Sequence, residues 1–178
     1  MASIDLIVLG MLKKEPLSAY DMQKLVEARR ISQWVKISTP SIYKKVLQLE
    51  DKGLITSSTV KAGRMPEKAV YALTERGEAE FTRLMREIAA QPVHFYLDFN
   101  AVIVNLASLP PDEQAACLAA ISAQVQTLAA ELADNLAAKT GAPDVPTAGL
   151  AVLRQQHALA CAVAQWLGEL SAQLPLAP

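Results

Sequence analysis

Five polar residues recur at three- and four-residue steps between positions 41 and 52: Ser41, Lys44, Lys45, Gln48 and Lys52. At about 100° per residue they would share roughly a third of a helix circumference, and no acidic residue interrupts them. Lysines so placed neutralise backbone phosphates, while Ser and Gln side chains hydrogen-bond to phosphate oxygens or base edges. The chemistry on offer is nucleic-acid recognition. A solvated amphipathic helix of no special function carries the same pattern, so the surrounding elements have to decide.

No competing chemistry stands out. The two histidines, His94 and His157, are not paired with a nucleophile or carboxylate at motif spacing, and the chain holds no HExxH, GxSxG or P-loop. Cys117 and Cys161 lie 44 residues apart without a CxxC or a histidine at metal-ligand spacing, and read as reduced core thiols. His157, in a helical run with Leu153, Ala160 and Ala164, reads as an interface histidine. The expectation is a binding protein with no enzymatic activity, cofactor or metal.

The elements that would position the lysines carry their own start and stop signals. Ser38 or Thr39 can cap a third helix that has Pro40 in its first turn, Ile42, Val46 and Leu49 on one face and Gly53 past its end. Before it, Ser3 can cap a strongly apolar helix from Ile4 to Leu12, and Ser18 with Asp21 has capping-box spacing for a second helix reaching Arg29. Tyr20, Leu25 and Val26 give that helix its inward side; Lys24, Arg29 and Arg30 give it a basic outward one. Residues 31–37, rich in strand formers, read as an extended connector. After Gly53, residues 54–60 and 69–73 read as two strands joined by a basic tip carrying Lys61, Gly63, Arg64, Pro66 and Lys68. Thr74 caps a further helix with Phe81, Leu84, Met85 and Ile88 on its apolar side, and Gln91-Pro92 interrupts it.

Helix, helix, connector, helix, hairpin is the order of a winged helix-turn-helix, so the fold class is mainly α with a two-stranded wing. In that fold the third helix enters the major groove and the hairpin tip lies along the backbone or minor groove. The expected DNA contacts are Ser38, Thr39, Ser41, Tyr43, Lys44, Lys45 and Gln48, with Lys61, Arg64 and Lys68 on the wing. A winged-helix module that binds a protein partner instead is the alternative.

The 178 residues divide by charge. Residues 1–91 hold 15 Lys+Arg against 11 Asp+Glu, and residues 92–178 hold 2 against 7. A mildly basic DNA-binding domain over 1–91 followed by an acidic assembly domain over 92–178 fits that asymmetry. Three helical segments are expected in the second part. Val93–Ala107 carries Phe95, Phe99, Val102, Ile103 and Leu106. Residues 112–139 place Leu118, Ile121, Val125, Leu128 and Leu132 along a seam, and residues 147–173 place Val152, Leu159, Val163, Trp166 and Leu170 along another. Three helices cannot cover so much apolar surface, and symmetry favours a second copy as the partner. Phe95, Tyr96, Phe99 and Trp166 could pack in the core or line a pocket for a planar apolar effector. The N-terminus lacks a basic segment and the longest apolar runs stop short of a membrane span, so a cytoplasmic protein is expected.

The chain resembles the PadR family of bacterial transcriptional regulators. The residues that carry the likeness are Leu9-Gly-Met-Leu12, Pro16, Tyr20-Asp21, Ile37-Ser38, Ser41-Ile-Tyr43, Leu49-Glu50, Gly53-Leu-Ile55, Gly63-Arg64, Pro66, Tyr71-Ala-Leu-Thr74 and Gly77. Asp98-Phe99, Leu109-Pro-Pro-Asp-Glu113 and Trp166-Leu-Gly-Glu169 point to the branch with a longer C-terminal helical region. The resemblance implies a homodimer on a palindromic double-stranded operator, usually a repressor, sometimes released by a small aromatic effector. Pro40 stands where the family often has Gly, and Met65 and Glu67 where Pro and Arg are common. Glu67 would bring negative charge near the phosphates.

Overall fold

The run from Ile4 to Leu12 is too apolar for a surface helix and forms α1 (Ala2–Leu12), with Val8, Leu9, Met11 and Leu12 buried. Helix α1 starts ahead of Ser3, which therefore does not cap it. The computed structural model describes residues 2–35, 39–60, 68–143 and 145–173. Within them the chain forms two compact units, residues 1–93 and 94–178.

Helix α2 (Ala19–Ala28) opens on the expected capping box: the Ser18 side chain accepts from the Asp21 N–H, and Asp21 accepts from the Ser18 N–H in return. A short 3-10 turn, Ile31–Gln33, follows where an extended connector was expected. Ile31 is the reason: its side chain is buried in the core, and the tight turn delivers it there, while residues 36 and 37 of that connector lie outside the described residues. Helix α3 (Thr39–Asp51) buries Ile42, Val46 and Leu49 against α1 and α2. Gly53 ends it in the left-handed conformation at φ +66°, where a side chain would be strained.

Strands β1 (Ile55–Val60) and β2 (Lys68–Leu73) pair antiparallel, Ile55 opposite Leu73 and Val60 opposite Lys68. Leu17 adds a one-residue third strand by exchanging backbone hydrogen bonds with Tyr71, at 2.9 and 3.1 Å. Helix α4 (Glu75–Ala89) is capped by Thr74, whose hydroxyl accepts from the Gly77 N–H at 3.1 Å. Gly77 is required by close approach: a Cβ there would sit 2.0 Å from the Leu54 carbonyl oxygen. Lys13 pairs with Glu78 and lies over the Phe81 ring, tying the end of α1 to α4.

The second unit contains α5 (Asn100–Asn105), continued by a 3-10 turn over Leu106–Ser108, then α6 (Pro111–Lys139) and α7 (Thr147–Gln173). The expected helix over 93–107 is realised only in its second half, because residues 92–97 run without helical hydrogen bonds after Pro92. Helices α6 and α7 pack on two ladders with a seven-residue period: Leu118, Val125 and Leu132 on one, Leu153, Ala160 and Leu167 on the other. On α6 the ladder follows the expected seam. On α7 the buried face is not the one expected, since small Ala160 permits close approach while Leu159 and Trp166 remain exposed. The expectation that no segment is long enough for a membrane span also needs correction, because α6 reaches that length and apolarity. Its alanines accumulate over Gln114 to Ala130, where no residue is charged.

Candidate nucleic-acid interface

The solvent face of α3 is set by what its other face buries. With Ile42, Val46 and Leu49 turned inward and flanked by α1 and α2, the exposed residues are Tyr43, Lys44, Leu47, Gln48 and Asp51. At about 100° per residue this face is rotated by roughly a quarter turn from the one inferred from the polar spacing. Lys44 and Gln48 belong to both. Ser41 is half-buried at the edge.

Lys45 is a correction. Its Nζ lies 2.7 Å from Asp5 Oδ1 on α1, and the two side chains are only 11% and 19% exposed. A lysine held in a near-buried ion pair is not available to a phosphate without leaving the Asp5 carboxylate unpaired, which is costly. The spacing rule that groups Lys45 with Lys44 cannot register that α1 covers this flank. Asp5, which carries no motif of its own, is what diverts it.

The wing is described at its base. Lys68, at the start of β2, reaches across to Asp21 with Nζ 3.1 Å from Oδ2. The same carboxylate oxygen accepts a 2.7 Å hydrogen bond from the Ser18 hydroxyl. That bond, with help from Lys68, holds the Asp21 carboxyl below the usual aspartate range. Lys68 thus serves first as a strut between wing and second helix, still half-exposed. Ser38, Lys61 and Arg64 lie outside the described residues, as does the side chain of Thr39.

Helix α2 adds positive charge. Lys24 sits over the Tyr20 ring, 4.7 Å from its centroid, and Arg29 and Arg30 are exposed at the helix end. Arg30 adopts φ +48°, the one non-glycine in the left-handed region among the described residues, at a cost of about 1–2 kcal/mol. That twist starts the turn that carries Ile31 into the core. The residue that polar spacing passes over on the exposed face is Leu47. It lies outside the buried stripe and one turn from Tyr43, a signal visible in the spacing once the stripe is known.

In the second unit, Phe99 and Trp166 stack with ring centroids 6.4 Å apart, whereas Phe95 and Tyr96 are largely exposed, Tyr96 resting near His94 at 5.8 Å. The four aromatics therefore do not form one packed core cluster. His157 Nε2 lies 3.5 Å from the Cys161 thiol, one turn along α7, so a histidine does stand at ligand spacing from this cysteine, contrary to expectation, although no third His, Cys, Asp or Glu joins them among the described residues. Cys161 is exposed, not buried as expected, and Cys117 is half-buried.

Comparison with known proteins follows the same outline. Residues 8–83 match the transcriptional regulator PadR-like family. Over 73 residues the chain is 34% identical to the negative transcriptional regulator PadR of Bacillus subtilis (strain 168), a match spanning 41% of this chain and 40% of that relative's own length. The solved structure of Bacillus subtilis PadR in complex with operator DNA superimposes with a TM-score of 0.80 over 96% of this chain and 98% of that one, at 24% identity. The same protein in complex with p-coumaric acid gives a TM-score of 0.78 at 19% identity, over 94% and 92% of the two chains. At those identities the superpositions speak for the fold.

Proposed function

We propose that this chain, whose residues 8–83 match the transcriptional regulator PadR-like family, is a dimeric, sequence-specific DNA-binding repressor acting in the cytoplasm. The observation that carries the reading is the solvent side of α3: a helix locked by Ile42, Val46 and Leu49 still offers Tyr43, Lys44 and Gln48 to solvent. In a winged helix-turn-helix that helix enters the major groove. Lys24, Arg29 and Arg30 of α2 are exposed beside the turn that leads toward α3, as phosphate contacts flanking a groove would be.

Dimerisation supplies what one copy lacks. Leu128 on α6 and Leu159 and Trp166 on α7 stay exposed in the single chain, an apolar surface suited to a second copy. Two recognition helices separated by about 34 Å then read half-sites one turn apart, hence a palindromic operator. Release by a small aromatic effector is part of the proposal, with the Phe99–Trp166 stack as the surface that would receive a planar guest. Such a molecule acts only through unequal affinity for the DNA-competent and incompetent dimers. Wing residues Lys61 and Arg64, together with Ser38 and Thr39, complete the proposed contact set.

The test is retention of a labelled duplex covering the protein's own promoter, measured at rising salt. Sequence-selective binding that weakens linearly in a log–log plot of affinity against salt is the expected result. No retention at low salt would favour the protein-interaction alternative.

A further inference from the structure

Leu47 is 60% exposed and Tyr43, one turn before it, 45% exposed, although both sit on a helix whose apolar positions are otherwise turned inward. A single exposed leucine is ordinary on a protein surface. This one is placed otherwise. It lies between Lys44 and Gln48, just past the middle of α3, on the solvent face of the helix that a winged helix-turn-helix lays in the major groove. Nothing in the core uses it: Ile42, Val46 and Leu49 already fill the inward face. The apolar part of this surface amounts to two side chains ringed by Lys44, Gln48 and Asp51, too little for the centre of a stable protein–protein contact.

The size matches something smaller. Among the four bases only thymine presents an apolar group in the major groove, its C5-methyl, and apolar side chains pair with it there. Resting on the DNA-binding reading above, we infer that Leu47 is a specificity-determining residue that packs on a thymine methyl group in each operator half-site, with Tyr43 beside it. Lys44 anchors the helix to phosphate and Gln48 supplies a hydrogen bond to a neighbouring base edge or phosphate. Leu47 therefore selects thymine by contact area alone, without a hydrogen bond.

The experiment uses the full chain and an operator obtained by selecting bound fragments from the host genome. Each half-site thymine is replaced in turn by deoxyuridine, which keeps every hydrogen-bonding group and lacks only the methyl. At one thymine per half-site the replacement is expected to weaken the wild-type protein about fourfold, the worth of one buried methyl group. Leu47→Ala is expected to bind thymine and uracil operators alike, with an unchanged melting temperature because the side chain is outside the core. Wild-type binding that ignores the replacement at every thymine overturns the inference alone, as does a Leu47→Ala protein as sensitive to it as wild type. A wild-type protein that retains no duplex at low salt overturns the DNA-binding reading and the inference with it.

Discussion

The two units solve the burial problem differently. Residues 1–93 close on one extensive core: α1, α2, α3, β1, β2 and α4 surround Val8, Leu9, Met22, Ile42, Val46, Leu49 and Ile55. Residues 94–178 do not. There the described core cluster is Leu132, Leu153 and Ala160, with Ala129 and Leu136 against it, while Leu128, Leu159 and Trp166 remain exposed. On the proposed reading, the first unit carries recognition and the second, with its smaller core, carries assembly.

The sharpest way to break that contrast is to charge the open surface. Leu128→Glu combined with Leu159→Glu is expected to leave helicity intact, since both positions are exposed, and to yield a monomer in sedimentation. With only one half-site engaged at a time, operator affinity should fall by about 10²–10⁴-fold. A double variant that stays dimeric would place the assembly surface elsewhere.

Within the first unit, the two adjacent lysines of α3 should behave oppositely. Lys44→Ala is expected to flatten the log–log salt dependence of operator binding by about 0.9 for each phosphate it no longer neutralises, with little change in melting temperature. Lys45→Ala should do the reverse. It strands Asp5 in a near-buried site, lowering the melting temperature and leaving the salt slope as in wild type. Equal slopes in the two variants would return Lys45 to the DNA surface.

The smallest effect concerns acid. Asp21 titrates below its ordinary range in the folded chain because of Ser18 and then Lys68, so the stability this provides is present above the unfolded aspartate value. It is lost as pH falls through the lowered folded value. Urea melts of the wild type between about pH 5 and pH 2 should therefore show a modest decline that Asp21→Asn lacks, at the expense of lower stability near neutrality. The side chain is partly exposed, and salt should shrink the difference. A decline of the same size in both proteins would assign the acid limb to other carboxylates.

Much of the fold was legible because its signals are local. Ser18 and Asp21 cap α2, Thr74 caps α4, Gly53 stops α3, and Ile42, Val46 and Leu49 mark the buried stripe; each acts within a few residues of itself. The candidate site was less legible. The first three residues of the expected extended connector form a 3-10 turn because Ile31 is buried by the rest of the core, and the exposed face of α3 is turned from the polar cluster toward Leu47. On α7 a seven-residue ladder centred on Ala160 displaced the bulkier stripe, since close packing of two helices favours the small side chain where they touch.

The residues alone determined where α2, α3 and α4 begin and end and that a third helix would pair a narrow buried stripe with a polar solvent side. Caps, periodicity and composition are properties of neighbours along the chain. Only the tertiary structure decided that Lys45 belongs to Asp5 and Lys68 to Asp21, and that Leu47 faces outward. Those outcomes depend on which element lies across a given flank, and the partners are 40 and 47 residues apart in sequence.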